Sequence, residues 1–158
     1  MLLHSADLVE ERLRIQLSPL GITPRQARIL EALDRMETCS QATLAREFNV
    51  SPASMSTMTT RLIAAGFILR RIDDRELRSN VLSLSDSGRD LLSGVFDAWR
   101  AVDDIIESAI GAQEAQALSA LARSLRNALG GHPPGHGQGP SRKGQSPKTT
   151  TAETTQDD

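Results

Sequence analysis

Ser51-Pro52-Ala53-Ser54-Met55-Ser56-Thr57-Met58-Thr59-Thr60-Arg61-Leu62-Ile63-Ala64-Ala65-Gly66-Phe67 is the stretch on which the fold turns. It follows Ser40-Gln41-Ala42-Thr43-Leu44-Ala45-Arg46-Glu47-Phe48-Asn49-Val50, a second, shorter helical pattern. The two are joined by a tight connection at Asn49-Val50-Ser51. Ser51 is placed to cap the second helix with its hydroxyl. Pro52 at the first helical position gives up a donor that would have had no partner there. Met55, Met58, Thr59 and Leu62 recur three or four apart and make one buried face. Ala53, Ser54, Ser56, Thr57, Thr60 and Arg61 are left facing outward. Short hydroxyls and one Arg are an odd choice for solubility alone, where Glu and Lys serve better. They suit close approach to a polar surface such as a DNA major groove. Gly66 ends the helix because it can take the left-handed conformation.

Outward from this pair, Phe67 to Ile72 and Ser79 to Leu84 are strand-like, with Leu82 and Leu84 alternating against polar residues. Asp73-Asp74-Arg75-Glu76-Leu77-Arg78 between them forms a charged hairpin tip. Two helices followed by a hairpin carrying Arg70, Arg71, Arg75 and Arg78 predict a winged helix-turn-helix, with its second helix in the major groove and its wing at the neighbouring minor groove.

From Ile22 to Leu129 the chain resembles MarR-type transcriptional regulators. The resemblance is carried by Ile22-Thr23-Pro24-Arg25-Gln26, Leu44-Ala45-Arg46, Arg61-Leu62, Gly66-Phe67-Ile68, Arg78 and Leu84-Ser85-Asp86-Ser87-Gly88, in order and at similar spacings. The chain departs from the family's pattern at Glu76, where the wing usually has Asp, and at Pro52 and Thr57, where basic residues are frequent. The resemblance implies a homodimer whose first helix packs on the partner's C-terminal helices. It also implies a small aromatic or anionic effector between the dimer helices and the DNA lobe, for which His4, Arg14 and Trp99 are candidates by position.

At 158 residues the chain has length for one domain with a modest core. No apolar run approaches a membrane span, and the N-terminus has no basic region leading into an apolar stretch, so a cytoplasmic setting is expected. Cys39 is the only cysteine, which excludes an intrachain disulfide. A net charge of −2 argues against a DNA binder taken globally, but its distribution does not. Residues 40–80 hold six Arg against four acids, while residues 81–131 hold four Arg against seven acids. Positive charge therefore gathers at the proposed DNA lobe, and its small excess suggests that binding needs two lobes at once.

Four segments are expected: an N-terminal dimerisation helix in residues 1–20, the winged helix-turn-helix in 22–85, C-terminal dimerisation helices in 86–130, and a low-complexity tail in 131–158. The fold class is mainly α with a small β-hairpin wing (α+β). Residues 2–17 predict a helix with Leu2, Ala6, Val9, Leu13 and Leu17 on one stripe. Thr23 and Gln26 frame a capping box for a helix with Ala27, Leu30, Leu33 and Met36 inward. Thr38-Cys39-Ser40 is expected to be a connection, with Cys39 a partly buried small apolar residue rather than a redox sensor. Ser85 caps a long helix to about Ile110, whose Leu92, Val95, Trp99, Val102, Ile106 and Ala109 form a heptad-like seam. After Gly111, residues 114–129 form a last helix with Leu118, Leu121 and Leu125 inward. Two long helices exceed what a lone winged helix needs, and predict a two-fold interface through Leu2, Val9, Leu13, Trp99, Val102, Ile106, Leu118, Leu121 and Leu125. From Gly130 a Gly, Pro, Ser, Lys and Thr-rich tail has too little apolar content to order itself.

No Gly-rich phosphate loop, nucleophile elbow or paired-cysteine metal spacing is present, and two of the three His lie in the tail. An enzyme, a metal and a cofactor are therefore not expected. The leading reading is a dimeric, sequence-specific regulator that binds double-stranded DNA. The runner-up, a winged-helix module that binds protein, draws on the small positive excess and on the single Arg of the recognition helix.

Overall fold

The computed structural model describes residues 1–72 and 80–131. The elements run α1 (Leu2–Leu17), α2 (Pro24–Met36), β1 (Thr38–Ser40), α3 (Gln41–Glu47), α4 (Pro52–Ala64), β2 (Ile68–Ile72), β3 (Asn80–Leu84), α5 (Asp86–Ile110) and α6 (Ala112–Ala128), with a 3-10 turn at Ser18–Leu20 after α1. This is a mostly helical α+β fold with one small antiparallel sheet. The wing tip and the tail, residues 73–79 and 132–158, lie outside the described residues, and with them Arg75, Arg78 and the expectation for the tail.

Helix α2 is the centre of the core. Its N-terminus is fixed by the expected capping box: the Thr23 hydroxyl accepts from the Gln26 backbone N–H at 3.3 Å, and Gln26 Oε1 accepts from the Thr23 N–H at 2.9 Å. Ala27, Leu30 and Leu33 are buried as their spacing predicts, and so are Ile29 and Ala32 on the adjoining face. Two buried faces on a 13-residue helix mean that it is packed on both sides rather than laid on a surface. Met36 is only half-buried.

The sheet corrects one expectation. Thr38-Cys39-Ser40 is a strand, not a plain connection, and the order is β1-β3-β2 with both pairings antiparallel. Cys39 and Arg70 stand opposite Leu82 from either side. Three residues are too short to show a period of two, and β1 exists because the long-range edge of β3 completes its hydrogen bonds.

Helices α1 and α5 pack on one another, and Leu20 seats against Gly94, where a Cβ would stand 3.0 Å from a leucine methyl. Leu13 and Leu17 from α1, with Leu92, Val95, Ala98 and Val102 from α5, enter the core. Beyond Val102 the seam opens: Ile106 is half-buried and Ala109 exposed. Gly111, with φ +91°, breaks the helix and α6 follows. Helix α6 buries no residue, so Leu118, Leu121 and Leu125, expected to face inward, stay exposed among the described residues. Leu2 and Val9 at the start of α1 are likewise exposed.

Candidate nucleic-acid interface

Helices α3 and α4 build the site. Ser40 caps α3 by accepting from the Thr43 N–H at 3.1 Å. Asn49 turns the chain with φ +49°, a left-handed conformation that Asn tolerates better than most side chains. Ser51 then caps α4, accepting from the Ser54 N–H at 3.1 Å, with Pro52 in the first turn. Met55, Thr59 and Leu62 are buried and anchor α4 to the core, with Met58 half-buried beside them. Gly66, at φ +80°, reverses the chain into β2 as expected.

The outward face of α4 carries Ala53, Ser54, Thr57, Thr60 and Arg61, all exposed, while Ser56 is half-buried and only partly on that face. The hydroxyls are not equivalent. Thr57 donates to the Ala53 carbonyl at 3.1 Å, which spends its proton and leaves its lone pairs to accept. Ser54 accepts from the Ser51 hydroxyl at 2.9 Å and keeps its own proton to give. The face thus offers both donors and acceptors to base edges or phosphates.

Charge follows the same geography. Arg14, Arg35, Arg89 and Arg100 are each held by a carboxylate three or four residues away. Arg46, Arg61, Arg70 and Arg71 form no salt bridge among the described residues. The guanidiniums around α3, α4 and β2 therefore keep their charge for an external anion. Two polar residues here were not among the DNA-contact candidates read from the sequence. Arg46 donates to Thr43 Oγ1 at 3.4 Å, and Gln41 accepts from Arg70 Nη2 at 3.2 Å. Gln41 carries no period or motif signal, since its partner lies 29 residues away.

The other candidate residues fall in different places. Leu13 and Val102, expected at a subunit interface, are already buried in the chain's own core. Trp99 and Ile106 are half-buried, and the Trp99 indole Nε1 is buried with no hydrogen-bond partner among the described residues. Of the effector candidates, His4 is exposed on the first turns of α1, and Arg14 is engaged by Glu11 on the solvent side at 2.6 Å. The Arg14 hydrogen bond also lowers the Glu11 pKa. An open groove of about 680 Å³ lies among β1, β2, β3 and the start of α5, and Glu37, Arg71, Asp86 and Arg89 are among the residues that line it. His4, Arg14 and Trp99 do not line it. Cys39 is buried, and burial, with the Glu47 carboxylate adding to it, pushes its thiol pKa up to about 11. Among the described residues no group of three or more His, Cys, Asp or Glu could hold a metal ion. No helix among them is long and apolar enough to cross a membrane.

Residues 22–79, which run from just before α2 to the residue before β3, match the MarR family model. Over this segment the chain is similar to the MarR family. Members of that family are transcriptional regulators, not enzymes. Solved structures agree on the fold. Wild-type MarR from E. coli, in its apo form, matches with a TM-score of 0.70 at 20% identity, over 78% of this chain and 93% of that one. A probable transcriptional regulator from Pseudomonas aeruginosa matches with a TM-score of 0.69 at 26% identity, over 79% of this chain and 96% of that one. The transcriptional repressor CouR, solved on a 23-mer DNA duplex, matches with a TM-score of 0.73 at 22% identity, over 78% of this chain and 88% of that one. No curated protein sequence matches the chain.

Proposed function

We propose that this chain is a homodimeric, cytoplasmic regulator of the MarR type that binds a palindromic operator in double-stranded DNA. The recognition helix α4 would read the major groove through Ser51, Ala53, Ser54, Ser56, Thr57, Thr60 and Arg61. Arg70, Arg71, Arg75 and Arg78 would engage the flanking backbone and minor groove. The observation that carries this reading is the exposed hydroxyl face of α4 set among guanidiniums that form no salt bridge with any described carboxylate. CouR, at the same fold, was solved on duplex DNA. Dimerisation is supported by α6, a 17-residue helix with no buried side chain. Its Leu118, Leu121 and Leu125 are exposed, so α6 calls for an apolar surface to lie on, and a second copy offers the matching one. A small aromatic or anionic effector belongs to the same proposal. Of its candidate residues Trp99 has the most to offer, since its buried N–H has no acceptor among the described residues.

The test is footprinting of the DNA upstream of the gene that encodes the chain, across a salt series. Two protected major-groove segments one helical turn apart, weakening steeply with salt, are expected. No protection at low salt by a folded dimer would shift the reading to a protein-binding winged helix. On the recovered operator, Arg78→Ala should weaken binding roughly tenfold or more without dimer loss. Unchanged affinity in a folded dimer would remove the wing from the interface.

A further inference from the structure

Gln41 opens α3 and sits where three parts of the lobe converge. Its Oε1 accepts from Arg70 Nη2 on β2 at 3.2 Å and stands 3.4 Å from Thr59 Oγ1 on α4. The single Thr59 proton is better placed on the Met55 carbonyl, at 2.9 Å, so the effective bond to the amide oxygen is the one from Arg70. That bond also fixes which way the amide points, because a reversed amide would set its NH2 against the guanidinium, donor facing donor. The polar contact thus fastens the wing strand to the helix-turn-helix across 29 residues of chain.

The chemistry of the partner matters as much as its place. Arg35 and Arg100 are oriented by carboxylates, which cancel their charge as they hold them. Arg70 is oriented by a neutral acceptor. Its guanidinium keeps its full charge, and four of its five N–H groups have no partner among the described residues and remain for another ligand. We propose that Gln41 is a positioning residue, which aims Arg70 at the DNA backbone while leaving its charge intact. This rests on the DNA-binding reading above.

The experiment uses the full chain and a duplex that the chain itself recovers from a random-sequence pool. Affinity is measured over a salt series for the wild type, Gln41→Met, Arg70→Ala and the double variant. Met keeps the length and apolar stem of Gln41 but supplies no acceptor of comparable strength. Gln41→Met should weaken binding roughly three- to tenfold, and reduce the salt slope by about one, as losing a phosphate contact does. The double variant should be no weaker than Arg70→Ala alone. Additive losses, or a weaker Gln41→Met with an unchanged slope, would overturn the inference, since a merely structural Gln41 gives that result. If Gln41→Met melts early, Gln41→Asn withdraws the acceptor with less disturbance and runs the same cycle. A wild type that recovers no duplex would bring down the DNA-binding reading and this inference with it. A wild type that binds, with losses that add, brings down this inference alone.

Discussion

Single residues in this chain are governed by what burial does to their polar atoms. Thr59 occupies an apolar position because the Met55 carbonyl takes its proton, so the hydroxyl costs little where Val might be expected. Cys39 shows the opposite case, since its sulfur sits in the core with its thiol pushed from an ordinary 9.0 up to about 11. The folded state therefore favours the protonated thiol. Any stability that comes from this is fully present below pH 9, and is lost as pH rises through about 11. Alkylation by iodoacetamide should be slow at pH 8 in the folded protein and fast once it is denatured. Between pH 9 and 11 the melting temperature should fall less for Cys39→Ala than for the wild type. Fast labelling of the folded protein at pH 8 would show a thiol far more acidic than its burial allows. The bland reading of Cys39 was available from the sequence, because a lone cysteine beside an apolar helix usually packs. Gln41 was not, because nothing local distinguishes a glutamine that bonds its neighbour from one that bonds a strand 29 residues on.

Elements were legible where a period or a cap announced them. Thr23, Ser40, Ser51 and Ser85 all cap the helices they were expected to cap, and Gly66 and Gly111 break the chain where expected. What escaped were facts about pairing. Strand β1 is three residues long and is defined by β3, and the second buried face of α2 depends on what packs there. The junction between lobe and long helix is a third such fact. The Ser85 hydroxyl donates to the Gly66 carbonyl at 2.6 Å, and the Ser85 N–H donates to the Phe67 carbonyl at 3.1 Å. A Cβ on Gly88 would stand 2.1 Å from that same Phe67 oxygen, so α5 can begin here only without a side chain at this place. Gly88→Ala gains helix propensity yet should lose about 1–3 kcal/mol net, since backbone must move to admit the methyl. Thermal denaturation of the variant checks this, and a melting temperature at or above the wild type's would mean that the junction yields easily. Gly94→Ala is the milder comparison, because its obstacle is a Leu20 side chain that can turn aside.

At the scale of the molecule, the apolar surface left by one chain is the main fact. Leu121 is 69% exposed and Leu129 78%, on a helix that touches its own chain mainly through α5. Replacing Leu121 and Leu125 together by Asp should be nearly neutral for a lone chain, where both face solvent. For a dimer held by this face it should give a monomer by light scattering, and weaken operator binding about a hundredfold or more. An unchanged mass in solution would show that the face is not the interface. Such an arrangement has a mechanical corollary. Helix α5 has 25 residues, and its first turn is bolted to the end of α4 at Gly66, Phe67 and Gly88 with no room for play. A rod of that length is about 37 Å long, so shifting its far end by roughly 3 Å turns its root by about 5°. With a joint free of backlash, that turn would reach α4 undiminished, and the recognition helix would tilt in its groove like a key on its shaft.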